Sequence, residues 1–191
     1  MVATLPFAEA STLFQQLDLS TAWDGEANRG TVQADVSMYV CPVHMDWNGR
    51  DAIGFTTYIG IAGLGADAGD LPNDHPRAGF FGYTRQVTRR DIADGLGNTI
   101  AVMETMADNG PWAAGGWPTL RWVDGNESDF VGAGQPFGAR HKTDTFFRSN
   151  PVVANAAFAD SSVRTLPSAV DATVFRALVT IAGAEQVRTD F

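Results

Sequence analysis

Cysteine is nearly absent. The one residue, Cys41, excludes an internal disulfide and a cysteine-rich zinc site, and beside Pro42 it reads as a small core residue. Lysine is as scarce: the 13 cations are 12 Arg and Lys142, with no basic run, against 22 acids for a net charge of −9. That balance argues against a surface that tracks phosphates, so nucleic acid is not an expected partner. No window approaches the ~18 continuous apolar residues of a membrane span, and no basic, apolar, small-residue signal opens the chain. Glutamate is sparse too, at 5 of the 22 acids against 17 Asp. Asp favours caps, turns and oxygen-rich loops, whereas Glu favours helix interiors, so long helices are not expected. Internal repeats and low-complexity linkers are lacking.

What is present suffices for a sizeable core: 191 residues, 45% of them apolar, fit one globular domain over residues 1–191. Glycine (20) and proline (9) point to many structured loops. The expected class is α+β, an antiparallel sheet packed against helices with long irregular loops.

Apolar positions at Ala10, Leu13, Phe14 and Leu17 predict a helix over residues 9–17. A second helix is expected over 25–34, capped by Asp24, followed by a short strand over 37–41. Residues 55–62 (FTTYIGIA), 79–83 and 99–105 (TIAVMET) read as strands, and Asp91 as the cap of a single helical turn between the last two. Residues 63–77 and 109–138 lack periodicity and read as long surface loops, the places where contacts usually reside. Residues 152–158 and 162–166 flank Ala159-Asp160-Ser161 as a hairpin. The last helix is expected from its cap Asp171 to Ile181, burying Val174, Leu178 and Ile181, with Gly183 closing it.

Few residues carry chemistry. His141 with Asp160 and Glu104 offers a base and orienting carboxylates, but no Gly-x-Ser-x-Gly elbow or Cys-His arrangement supplies a nucleophile. No catalytic residues are therefore assigned, and the chain is expected not to be an enzyme. His44 and His75 lie in polar stretches and do not make a zinc site. Asp124, Asn126, Ser128 and Asp129 place oxygen side chains along one short loop, a pattern suited to calcium, the one cofactor considered; the alternative is an ordinary solvated turn. Residues 67–74 repeat the pattern more weakly. Trp112, Trp117 and Trp122, spaced five apart, offer flat aromatic faces to a partner protein or a sugar, or else plug the core beneath a loop. Arg121, beside Trp122, is expected at the surface, stacking on the ring or pairing with Asp124.

LPFAEASTLFQQLDLSTAWDGEANR (5–29), Tyr39-Val40-Cys41-Pro42, Thr57-Tyr58-Ile59-Gly60, RRDIADGLGNTIAVMET (89–105), ANAAFADSSVRTL (154–166) and the closing AVDATVFRALVTIAGAEQV occur in an order that resembles the bacterial prepilin-like proteins of domain of unknown function 1559, abundant in planctomycetes. The resemblance implies the globular part of an exported pilin- or pseudopilin-like protein, extracellular or in the cell envelope. Its expected partners are other protein subunits, including copies of itself. Members usually begin with a prepilin leader and a long apolar helix. Neither pattern occurs here, so the expectation is a head that follows a removed leader or stands alone. The family's closing signature, a His followed by a nearby Asp-Gly, is altered: His141 lies 19 positions before Asp160, and Ser161 stands where the Gly would be. The competing expectation is an extracellular carbohydrate- or solute-binding module.

Overall fold

The computed structural model describes residues 1–42, 54–139 and 153–183. His44, His141 and Lys142 lie outside the described residues. Among the described residues, five strands, β1 (Tyr58–Leu64), β2 (Ile100–Glu104), β3 (Leu120–Val123), β4 (Val153–Phe158) and β5 (Val163–Pro167), form one sheet in the order β3-β1-β2-β4-β5. With the short helices α1 (Ser11–Gln16) and α2 (Ala172–Leu178), this is an α+β fold. The sheet is mixed rather than antiparallel throughout: β1 runs parallel to β3, while β4 is antiparallel to both β2 and β5. Among the described residues no helix is long and apolar enough to cross a membrane.

The chain groups into two compact units, Met1–Tyr58 with Asp108–Thr119, and Ile59–Ala107 with Leu120–Phe191. In the second unit, Ile59 and Ile61 of β1 and Ala154, Ala156 and Phe158 of β4 alternate into one core, as a pleated strand requires. Ile100 and Met103 of β2 break that alternation yet share the core. The reason is a bulge: between Ile100 and Val102 the ladder to β4 slips by one residue, which re-aims every later side chain. From α2, Phe175 and Leu178 enter the same core, with Val179 just beyond the helix. The Asp171 carboxylate caps α2 as expected, accepting from the Thr173 and Val174 amides at 2.8 and 3.2 Å. The helix stops at Leu178, earlier than its apolar pattern suggests, and closes on Val179. Gly183 does not cap it; its amide donates to Asp94 Oδ2 at 2.8 Å.

The β4–β5 hairpin forms as its turn residues predict. Ser161 takes a left-handed φ of 72°, and Asp160 Oδ1 accepts from the Ser162 amide at 2.8 Å. A serine in that region carries a steric cost that glycine avoids, against glycine's greater freedom when unfolded. Ser161→Gly is therefore expected to change stability by between zero and about 1 kcal/mol in the stabilising direction, read as a shift in the urea midpoint at constant slope.

The first unit departs most from the pattern reading. Residues 25–34 are turns with one 3-10 segment, Thr31–Gln33, not a helix capped by Asp24. Asn28, only 2% exposed, explains this. Its side-chain amide donates to the Asp18 carbonyl, Thr21 Oγ1 and the Ala22 carbonyl, and its Oδ1 accepts from the Asp18 amide at 2.8 Å. One side chain thus ties this segment to residues 18–22, a buried contact that the apolar pattern over 25–34 does not reveal. Ser37–Tyr39 is likewise a 3-10 segment instead of a strand, with Tyr39 Oη bonded to Thr4 Oγ1 at 2.7 Å and to the Met1 carbonyl at 3.1 Å. The core of this unit joins Leu5, Val32, Val36, Tyr39 and Trp112. Cys41 is buried, with its amide donating to Thr57 Oγ1 at 2.7 Å.

Candidate functional site, an aromatic platform beyond β1

Beyond β1 the chain does not make the strand expected over 79–83. Among the described residues it meets β1 through one bridge, Gly63 to Ala78, plus main-chain bonds from Leu64 to Arg77 at 2.9 Å, from Gly79 to Ala62 at 2.7 Å and from Phe81 to Ile61 at 2.9 Å. What fixes it instead is Arg85. Its guanidinium donates to the carbonyls of Ala68 (2.7 Å), Leu71 (2.9 Å), Ala62 (2.8 Å), Gly79 (2.9 Å) and Phe81. Five carbonyl dipoles solvate one rigid fork, so a single side chain ties β1, the 3-10 segment Ala68–Asp70 and the returning strand-like stretch together.

On this clamp sit two aromatic rings. Phe81 and Tyr83 are 40% and 56% exposed. Each lies against a glycine: a Cβ on Gly60 would meet Phe81 Cδ2 at 2.7 Å, and one on Gly69 would meet Tyr83 Cε2 at 2.6 Å. Phe80 packs edge-on to Phe81, with ring centroids 4.9 Å apart. The rings are therefore seated from below and open above. The sequence signal is Gly-Phe-Phe-Gly-Tyr (79–83), where three aromatics sit among glycines too small to bury them.

At the edge of the same loop, Asp67 and Arg77 pair through two bonds of 2.6 Å, and Arg77 Nη1 also reaches the Leu64 carbonyl at 2.9 Å. The Arg77 guanidinium holds the Asp67 carboxyl at about 2, down from 3.8, chiefly by hydrogen bonding. Because the folded value lies below the unfolded one, the contribution of this pair to stability is complete above pH 3.8 and is lost as pH falls through about 2. Carboxyl NMR titration is expected to place Asp67 near 2 in the native chain and to return it toward 3.8 in Arg77→Ala.

The residues singled out by sequence are dispersed. Trp112 and Trp117 belong to the first unit, Trp122 to the second. Trp112 is fully buried: Nε1 donates to the Ala34 carbonyl at 2.9 Å, and its ring lies 6.2 Å from Tyr39, so it plugs a core and offers no outer face. Trp117 is 38% exposed, with Nε1 donating to Asp108 Oδ2 at 3.1 Å. Trp122 is half-buried on β3, opposite Gly63.

Asp124 closes on its own turn, Oδ1 accepting from the Asn126 amide at 2.9 Å and from Asn126 Nδ2 at 3.3 Å, while Ser128 Oγ lies 3.4 Å from Asp129 Oδ2. Among the described residues no group of three or more His, Cys, Asp or Glu is gathered as a metal would require. Asp91 Oδ2 likewise accepts from Thr88, at 2.7 Å from both its amide and its Oγ1, closing a turn and not capping a helix.

Arg121 is not at the surface. It is 1% exposed and donates to Thr105 Oγ1 at 2.7 Å, to the Pro136 carbonyl at 3.1 Å and to the Ala107 carbonyl. Glu104, also fully buried, accepts from the Asn155 amide at 3.1 Å, and Asp160 serves the hairpin turn. Glu104 thus bonds the backbone of β4, the strand that pairs with its own strand β2.

No curated protein and no solved structure matches the chain. Residues 1–173 do match a family described only as protein of unknown function, and the chain belongs to that family, DUF1559.

Proposed function

We propose that this chain is a non-enzymatic structural or interaction protein, a pilin- or pseudopilin-like head exposed outside the cell or in its envelope, that contacts other protein subunits through the Phe81–Tyr83 platform. The observation that carries the reading is the seating of two exposed rings on glycine backbone above the Arg85 clamp. Rigid aromatic side chains give large contact area at low entropic cost, which suits protein contact. Three charged groups of this unit support the same reading, since Arg85, Arg121 and Glu104 bond main-chain groups and stiffen a scaffold.

A test is the state of assembly of the chain recovered from its own cells. The native chain is expected in a larger complex, and Phe81→Gln with Tyr83→Gln is expected to weaken association by about 2–4 kcal/mol while the chain stays folded with a modestly lower melting temperature. A complex that survives the double substitution overturns the assignment of the surface.

The second reading, an extracellular module for a carbohydrate or another solute, is favoured by one observation: the Trp117 indole is held by Asp108 with part of its surface open. Saturable binding of one glycan class that disappears in Trp117→Ala would establish it in place of the first.

A further inference from the structure

Of the eight asparagines, only Asn126 is followed two residues later by Ser or Thr with no proline between them. The run is Asp124-Gly125-Asn126-Glu127-Ser128, which satisfies the Asn-x-Ser acceptor rule for N-linked glycans and adds an acidic side chain two positions before the asparagine. We infer that Asn126 is an N-glycosylation site, an inference that rests on the export reading above.

The geometry of the segment suits an acceptor. Residues 125–129 are five consecutive exposed positions, lying between Val123 and Phe130, which are 3% and 1% exposed. The loop is thus held at both ends and open in the middle. Glu127 is steadied from below by Arg176, whose Nη2 donates to its carbonyl at 2.6 Å. Around the acceptor there is room: a Cβ built on Gly125 meets nothing within 4 Å. Among the described residues the asparagine side chain bonds along its own turn, to Asp124 Oδ1 at 3.3 Å, a weak tie that a transferase breaks at little cost. A glycan here extends into solvent without displacing any core residue.

The reaction is a group transfer without redox change. Asn126 Nδ2 bonds to the anomeric carbon of a sugar carried on a lipid pyrophosphate, and the bond from that carbon to the phosphate oxygen breaks. The lipid pyrophosphate leaves with the electron pair, and Nδ2 gives up one proton to a base of the transferase. The Ser128 hydroxyl is the recognition element at the +2 position.

The experiment separates envelope from cytoplasm in the native cells and reads the Asn126 peptide by mass spectrometry in each fraction. The expected result is a sugar-bearing peptide from the envelope chain, lost in Asn126→Gln and in Ser128→Ala and retained in Ser128→Thr, with melting temperatures unchanged because all these side chains are exposed. An envelope chain with bare Asn126 overturns the glycosylation site and leaves the export reading standing. A chain confined to the cytoplasm overturns both.

Discussion

Phe175→Ala is expected to lower folding stability by about 3–5 kcal/mol, a large part of the 5–15 kcal/mol typical of a whole domain. Phe175 is fully buried, stacks on Phe130 with ring centroids 4.6 Å apart and planes 13° from parallel, and meets Phe137 at 5.6 Å. Removing the ring leaves a cavity bounded by two other rings, which relax poorly because each is buried on its far side. Val174 is the useful contrast. It was the position expected to lead the helix's apolar stripe, yet it is only partly buried, so Val174→Ala should cost well under half as much. Urea unfolding reads both, and a Phe175→Ala loss below about 1 kcal/mol would show that α2 is peripheral to the core.

Gly63→Ala is expected to cost about 3 kcal/mol or more. Gly63 has φ of 114°, and a Cβ there would meet the Arg77 carbonyl oxygen at 2.1 Å and the Gly79 nitrogen at 2.5 Å. Both obstacles are backbone, so no side chain can swing aside. The position is also where β1 carries an extra residue against β3, between Ile61 and Gly63. The bulge, the bridge to Ala78 and the seat of the platform all depend on it. Gly115→Ala is the control, since a Cβ there meets nothing within 4 Å, and its effect should stay within about 0.5 kcal/mol. Equal stability of the two variants would remove the argument that residues 77–79 lie directly on β1.

Local signals carried as far as local interactions decide the structure. Asp171 at the start of α2, the Asp160-Ser161 turn and the apolar runs of β2 and β4 are legible because neighbouring residues set each of them. The 3-10 turns around Asn28 are not, since a buried amide that bonds residues six to ten positions away overrides a helical pattern. Nor is β3. It has four residues, one of them a buried arginine, and its partner strand is β1, some sixty positions earlier in the chain. Pattern reading places an arginine in water, whereas the carbonyls of Ala107 and Pro136 give Arg121 an interior it can occupy. Residues 63–77 frame the platform proposed as a contact surface, whose open rings are Phe81 and Tyr83, while the evenly spaced tryptophans divide between a core, a surface turn and a strand.

On the proposed reading this platform is where the chain meets another protein. Placing a photoreactive phenylalanine analogue at position 83 and irradiating intact native cells tests it most directly. Covalent adducts with one defined protein subunit or a second copy of the chain are expected, diminished when Phe81 is also replaced by Gln. Adducts absent at position 83 but formed from the same analogue at position 117 would contradict it and move the contact to the tryptophan turn.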